Sequence, residues 1–323
     1  MENYKDWKEC GQGTFGIVYR ATQKSSGRTV AIKQLKEEMV FGREEGFKYF
    51  ALREIMLMHE LKHEHVVEML EVFTQKEDFA HKIHLVLEYC ETDLANLIKD
   101  VANEPLDAAR IKGYMLGTLR GLAFIHAAWC LHRDLTPGNL FLTPDGVVKI
   151  GDFGLARVYG SPDRRYSPNT VTRWYRPPEI LFGAKFYGTA VDMWSVGCIF
   201  AELHRRAPYF PGNGEIDQLG KIISARGTPT EETWPGVTSL PTYIPYNECT
   251  EKPLRENFAA ASDDALALLG ALLTMCPAKR ISAEDALEHA YFKAEPKAAT
   301  FAELAPRAKR QESSSGGQKR GRE

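Results

Sequence analysis

The stretch His132-Arg-Asp-Leu-Thr-Pro-Gly-Asn139, with Asp152-Phe-Gly154 shortly after it, decides how this chain of 323 residues is read. Gly11-Gln-Gly-Thr-Phe-Gly-Ile-Val18 and Val30-Ala-Ile-Lys33 precede it, and Pro177-Pro-Glu179 follows. A lone G-x-G-x-x-G fits many loops. Five runs in one fixed order are far more specific than any of them alone. Working outward, Gly16-Ile-Val-Tyr-Arg-Ala21 and Arg28-Thr-Val-Ala-Ile-Lys33 flank Ser25-Ser-Gly27, which predicts a hairpin. Lys82-Ile-His-Leu-Val-Leu-Glu88 predicts another strand. Residues 47–61 carry the one long helical pattern of this part, with Leu52, Ile55, Met56 and Met58 expected on one side. From Asp93 onward helical periodicity dominates, with helices expected over 109–127, 191–203 and 263–273.

This pattern divides the chain into a β-rich part, 1–90, and a helical part, 91–293, an α+β organisation with its boundary near Tyr89 to Thr92. From 294 to 323 the composition shifts to Ala, Ser, Gly, Lys and Arg, and a disordered tail is expected. From Arg307 it carries six basic residues against Glu312 and Glu323. A solvated tail is the plain reading, and a nuclear-import patch is the other.

Apolar residues make up 44% and charged residues 26%, ordinary values for a globular protein. A net charge of −2 argues against a whole-protein nucleic-acid footprint or a membrane-surface one. The most apolar stretch, residues 193–203, is too short to span a bilayer. The polar start Met1-Glu-Asn-Tyr-Lys-Asp reads as no secretory signal, and the six scattered cysteines form no C-x-x-C pair. A reduced thiol set and a nuclear or otherwise cytoplasmic location are therefore expected. His59, His63, His65, His81 and His84 could be mistaken for a metal cluster, but Leu61-Lys-His-Glu-His-Val66 reads more simply as a loop after the first helix.

Together the five runs resemble the protein-kinase signature over roughly residues 4–293. The resemblance implies a bilobal kinase fold, with a small β-rich lobe and a larger helical one, that uses ATP and Mg²⁺. Gly11, Gly13 and Gly16 then let the backbone approach phosphate oxygens, within a loop that also includes Cys10, Gln12, Thr14 and Phe15. Lys33 faces the α- and β-phosphates, with Glu54 as its counter-ion. Asp134 orients the substrate hydroxyl and takes its proton, Thr172 supports Asp134, and Asn139 and Asp152 hold the metal. Val18, Ala31, Leu87 and Phe141 line the adenine pocket, and Glu88 and Cys90 offer hinge backbone. The resemblance also implies that Glu179 pairs with Arg280 and that buried Asp192 anchors the catalytic loop.

Within kinases, Tyr49-Phe-Ala-Leu-Arg-Glu-Ile55 is similar to the cyclin-contacting helix of the cyclin-dependent group. Glu91-Thr-Asp-Leu94, Val171-Thr-Arg-Trp-Tyr-Arg176 and Leu181-Phe-Gly-Ala184 resemble its activating-kinase branch, which also serves transcription factor TFIIH. This implies a cyclin partner that turns the first helix so that Glu54 reaches Lys33, and an assembly factor as a further partner. The implied protein substrates carry Ser/Thr-Pro or kinase activation loops. Arg53, Arg133 and Arg157 are expected to gather around a phosphorylated Ser167, with Ser161 as a second acceptor.

The sequence departs from the family at four places. Thr136 replaces the usual lysine after the catalytic aspartate, which implies a slower enzyme. Leu87 stands for a usual phenylalanine and Phe141 for a usual leucine, an exchange expected to conserve part of the pocket volume. Phe15 removes a tyrosine on which inhibitory kinases act, whereas Thr14 remains. Two rivals stay open: a kinase-fold scaffold with little turnover, and a proline-directed kinase needing no cyclin.

Overall fold

The computed structural model describes residues 2–12, 16–36, 41–42, 46–47, 49–77, 80–101, 106–159 and 173–306. Gly13, Thr14, Phe15, Ser161, Ser167 and Thr172 lie outside the described residues, as do the side chain of Arg53 and the chain from Arg307 on.

The first part is a five-stranded antiparallel sheet in the order β1-β2-β3-β5-β4, made from β1 (Tyr4–Gln12), β2 (Gly16–Gln23), β3 (Thr29–Leu35), β4 (Met69–Glu77) and β5 (Ala80–Glu88). The β2–β3 hairpin turns at Gly27, whose φ of 71° is the left-handed conformation that glycine adopts without strain. Strand alternation then sorts side chains by function. Val30 and Ile32 join Tyr4, Ala21 and Val86 on the outer face. Leu35, Ile83 and Leu85 form a separate inner cluster against Ile55. Lys33 and Ala31 share the parity of Leu35, and the register sets Lys33 opposite Leu85 and Ala31 opposite Leu87. The alternation thus carries a lysine into the interior.

One helix, α1 (Tyr49–Glu60), covers that inner face and packs on the turn Phe153–Leu155. The expected single apolar side is divided. Glu54, Leu57 and Met58 are buried, whereas Leu52 is 41% and Met56 62% exposed. Positions 54, 57, 58 and 61 share the side that meets the protein; 52 and 56, one turn apart, share the other. Beside them Ile55, Met56, His59 and Glu60 form a groove of about 350 Å³ with Met69–Val72 of β4.

The helical part is built on α2 (Leu94–Lys99), α3 (Ala108–Ala127), α4 (Ala190–Arg205), α5 (Glu215–Arg226) and α6 (Asp263–Leu272). Asp93, Asp107 and Ser262 cap α2, α3 and α6 by accepting backbone N–H groups. Helix α4 is buried along nearly its whole length around Trp194 and Phe200. Among the described residues no helix is long and apolar enough to cross a membrane. A buried ion pair closes this part: Arg280 donates to both carboxylate oxygens of Glu179, at 2.8 and 3.0 Å, as the resemblance implied. The same guanidinium donates to the carbonyls of Thr274, Met275 and Ala190.

The composition-based expectation of a disordered tail from 294 fails for residues 294–306. That segment straps across α3, with Lys112 donating to the carbonyls of Ala294 and Pro296 at 2.6 Å each. Arg110 donates to the Glu303 carbonyl, and Leu304, 1% exposed, sits where a side chain at Gly113 would stand. A cap at Thr300 with Glu303 starts its short helix, α7 (Phe301–Leu304). Composition averages over such a segment, while its attachment rests on one leucine and two buried cations reaching out from α3.

Two outcomes follow from this packing. Arg280→Met leaves Glu179 buried without its guanidinium and is expected to cost about 3–5 kcal/mol, measured as a lower urea midpoint. His204 on α4 has its Nε2 buried without a hydrogen-bond partner among the described residues, and burial lowers its pKa from 6.5 to about 4. Between those values the unfolded chain binds a proton that the fold excludes, so stability falls as pH drops from about 6.5 toward about 4. His204→Phe should flatten that part of the pH dependence in urea titrations at pH 7 and pH 5.

Candidate active site

Lys33 is the centre of the site. Its ammonium donates to Glu54 Oε1 at 2.7 Å and to Asp152 Oδ1 at 2.9 Å. Burial by itself would lower the lysine pKa, but the Glu54 and Asp152 carboxylates outweigh it and raise the value. Asp152 shows the mirror case: burial pushes its carboxyl up, and Lys33 beside it brings it below the usual carboxylate range. One cation therefore joins β3, helix α1 and the turn that begins at Asp152. The Lys33–Glu54 pair that the resemblance implied is closed in this structure. A helix seated by Leu57 and Met58 has already delivered its glutamate inward.

Two small sheets, one of three short strands and one of two, hold the other side of the cleft. They use β6 (Thr92–Asp93), β7 (Cys130–Leu131), β8 (Leu140–Leu142), β9 (Val148–Ile150) and β10 (Arg157–Val158). Strand β8 lies between β9 and β6, and β10 pairs with β7. Between β7 and β8 runs the loop with Asp134. Asp192, 1% exposed, accepts from the backbone N–H of His132 at 2.9 Å and of Arg133 at 2.8 Å. Its third contact, His126 Nε2 at 2.9 Å, helps bring the carboxyl below the usual range although burial pushes it up. These bonds hold Arg133 at φ 66°, a conformation uncommon for a side-chain-bearing residue. The role foreseen for Asp192 is met by its geometry.

Asn139 closes the loop. Its amide Nδ2 donates to the Asp134 carbonyl at 2.7 Å and to the Asp134 carboxylate at 3.3 Å. The Gly151 N–H donates to the Asn139 carbonyl at 3.0 Å, and His132 Nε2 meets the Gly151 carbonyl at 2.9 Å. Asp134, Asn139 and Asp152 are thus brought to one place. Thr136 has extended backbone just before the turn Pro137–Asn139 and presents only a hydroxyl there.

The remaining residues divide by position. Val18 lies opposite Lys33 in the β2–β3 ladder, Ala31 opposite Leu87 in the β3–β5 ladder, and Phe141 is central in β8. All four are half-buried, as side chains lining a cleft are. Gly11 and Gln12 are exposed at the end of β1, and a Cβ at Gly11 would meet nothing within 4 Å. Gly16 differs: a Cβ there would fall 2.2 Å from the Gln34 carbonyl oxygen, so sheet pairing already demands glycine. The Glu88 carboxylate binds Lys149 at 2.7 Å and the Glu68 N–H at 2.7 Å, which ties the hinge to β9. Burial pushes the Cys90 thiol up to about 12 and also raises that of Cys10, whose sulfur contacts the Val18 carbonyl at 3.4 Å. Arg133 donates to the Leu155 carbonyl and the Tyr187 hydroxyl, and Arg157 to the Ala156 carbonyl. The ladder sets Arg157 opposite Leu131, two positions before Arg133.

Two contributors had no role in the sequence reading. His132 was visible inside its motif, yet only the fold shows its ring tied to Gly151. Gly151 itself gives no signal beyond preceding Asp152. Three of the histidines serve packing: His65 contacts the Val148 carbonyl at 2.9 Å, while His63 stacks on Phe124 and His84 on Phe73, both at 4.8 Å.

Known proteins give the same picture. The model of the protein kinase domain matches residues 4–292. Cyclin-dependent kinase 7 of Dictyostelium discoideum is 48% identical over 293 residues, covering 90% of this chain and 80% of that protein. Cyclin-dependent kinase 7 of Xenopus laevis is 47% identical over 306 residues, covering 95% and 85%. The solved CAK complex from Chaetomium thermophilum bound to ATP-γ-S contains a chain that superposes with a TM-score of 0.88 at 39% identity, covering 95% of this chain and 96% of that one. A lysine joined to two carboxylates across a cleft, over a loop that a buried aspartate anchors, thus has its counterpart in known enzymes: this chain belongs to the protein kinase family, in its cyclin-dependent group, and is similar there to cyclin-dependent kinase 7.

Proposed function

We propose that this chain transfers the γ-phosphoryl group of ATP to serine or threonine hydroxyls of proteins, under the control of a cyclin. The observation that carries this reading is the single ammonium of Lys33 bound to both Glu54 and Asp152. Phosphoryl transfer needs positioning and charge neutralisation more than covalent help. A lysine whose pKa is raised by two carboxylates stays charged at every working pH and offers a fixed cation to the α- and β-phosphates.

Asp134 is held by the Asn139 amide, so its carboxylate has a set direction from which to accept a proton from the substrate hydroxyl. Asn139 turns its NH₂ toward Asp134 and thereby its amide oxygen away, and Asp152 adds a carboxylate; such hard oxygens fit Mg²⁺. Bound Mg²⁺ supplies neutralisation of phosphate charge. Val18, Ala31, Leu87 and Phe141 form the apolar walls for adenine, and the ATP-γ-S held by the CAK structure supports that use.

Exposed Leu52 and Met56, with the groove toward β4, are the face that a cyclin covers. The cyclin-dependent relatives support such a partner. Since Glu54 already meets Lys33, the cyclin acts here by stabilising that arrangement. A phosphate on Ser167 or Ser161 would pair with Arg133 and Arg157. The basic run from Arg307 would direct nuclear import.

Thr136 replaces an ammonium near the transferred phosphate with a hydroxyl, a loss of about 2–4 kcal/mol of transition-state stabilisation. Steady-state phosphorylation of a Ser-Pro peptide and of a kinase activation-loop protein tests the reading. Asp134→Asn should lower kcat at least about 100-fold, whereas Thr136→Lys should raise it about 10-fold or more. No turnover in the parent with any cyclin, while ATP still binds, would leave a scaffold instead. Leu52→Glu with Met56→Glu should abolish the increase in rate on adding cyclin and leave the melting temperature of the isolated chain nearly unchanged, as exposed substitutions do.

A further inference from the structure

We propose that Gly151 and Phe141 form a size-matched pair that shapes the floor of the nucleotide cleft, making Gly151 a specificity-determining residue for ATP; this rests on the kinase reading above. A Cβ built at Gly151 would lie 2.8 Å from Phe141 Cε2, 2.9 Å from Phe141 Cδ2 and 2.8 Å from Val67 Cγ2. These are distances that real Cβ atoms do not show, so one neighbour must give way. Gly151 is not among the glycines with positive φ, so its backbone admits alanine. What excludes a side chain there is the space taken by the phenyl ring on one side and by the Val67 methyl on the other.

Which neighbour yields is set by the anchoring. Gly151 cannot retreat, because its N–H is bound to the Asn139 carbonyl at 3.0 Å and its carbonyl to His132 at 2.9 Å. Moving it would drag Asp152 with it. Val67 is 4% exposed in the main core, and its N–H is bound to the Ile150 carbonyl at 2.9 Å. Phe141 is the half-buried member. Its strand neighbours Leu140 and Leu142 are fully buried on the opposite face, which leaves Phe141 on the cleft side. A methyl group at 151 therefore pushes the ring toward the bound base. The phenyl ring occupies volume that a side chain at 151 would otherwise fill, and this glycine contact gives the ring room on that side.

The test is a double-mutant cycle in the full chain: parent, Gly151→Ala, Phe141→Leu and the two together. It reads Mg²⁺–ATP affinity by calorimetry, KM and kcat for ATP, and the melting temperature. Gly151→Ala should weaken ATP binding about tenfold, read both as a raised dissociation constant and as a raised KM for ATP. Adding Phe141→Leu should recover a large part of the lost affinity, at least about threefold, with the Val67 contact accounting for the remainder. If Gly151→Ala alone unfolds, recovery of melting in the double variant reads the same pairing. Independent effects of the two changes in affinity and in melting, or parent-like ATP binding by Gly151→Ala, overturn the proposal. A parent that binds no ATP removes the kinase reading and this proposal together; a parent that binds ATP but gives independent effects removes the pairing alone.

Discussion

The ammonium of Lys33 is the point on which the arrangement of this protein turns. It belongs to a sheet strand, yet it is bound to a carboxylate from the covering helix and to another from the helical part of the chain. Taking a lysine out of water is costly, and here two anions offset that cost in one place. Any movement of α1 or of the Asp152 turn away from β3 leaves a buried charge without one of its partners. Electrostatics therefore couples the packing of the two parts, and the same coupling prepares the cleft for phosphate.

The opposite wall of the cleft is held by a different device. Asp192 acts from inside the helical core and accepts hydrogen bonds from consecutive backbone N–H groups of the loop that bears Asp134. The loop conformation is unfavourable at Arg133, and a buried carboxylate with a histidine neighbour makes it the stable one. From there a chain of bonds runs from His132 to Gly151 to Asn139 to Asp134. The atoms that would handle metal and proton are in this way positioned relative to one another before any ligand arrives.

Much of this was legible in the residues. The hairpin around Ser25–Gly27 and the long helices follow from turn chemistry and periodicity, which act over a few neighbours. The pairing of Glu179 with Arg280 came from family resemblance, since no local rule links residues so far apart. The division of α1 into a buried and an exposed apolar side was not legible. Periodicity places apolar residues around a helix but does not say which of two apolar stripes meets the sheet. The strap over 294–306 was hidden for a related reason: its order derives from Lys112 and Arg110, residues of another segment.

By itself, the sequence determined the kind of fold, the order of its motifs and the identity of the charged groups, because backbone propensities and motif chemistry are local properties. It also determined that position 136 lacks an ammonium. Tertiary structure alone decided that Lys33 meets both carboxylates at once, that Leu52 and Met56 face outward, and that the ring of Phe141 fills the space above Gly151. Those outcomes depend on distances between distant segments, and such distances exist only once the whole chain has packed.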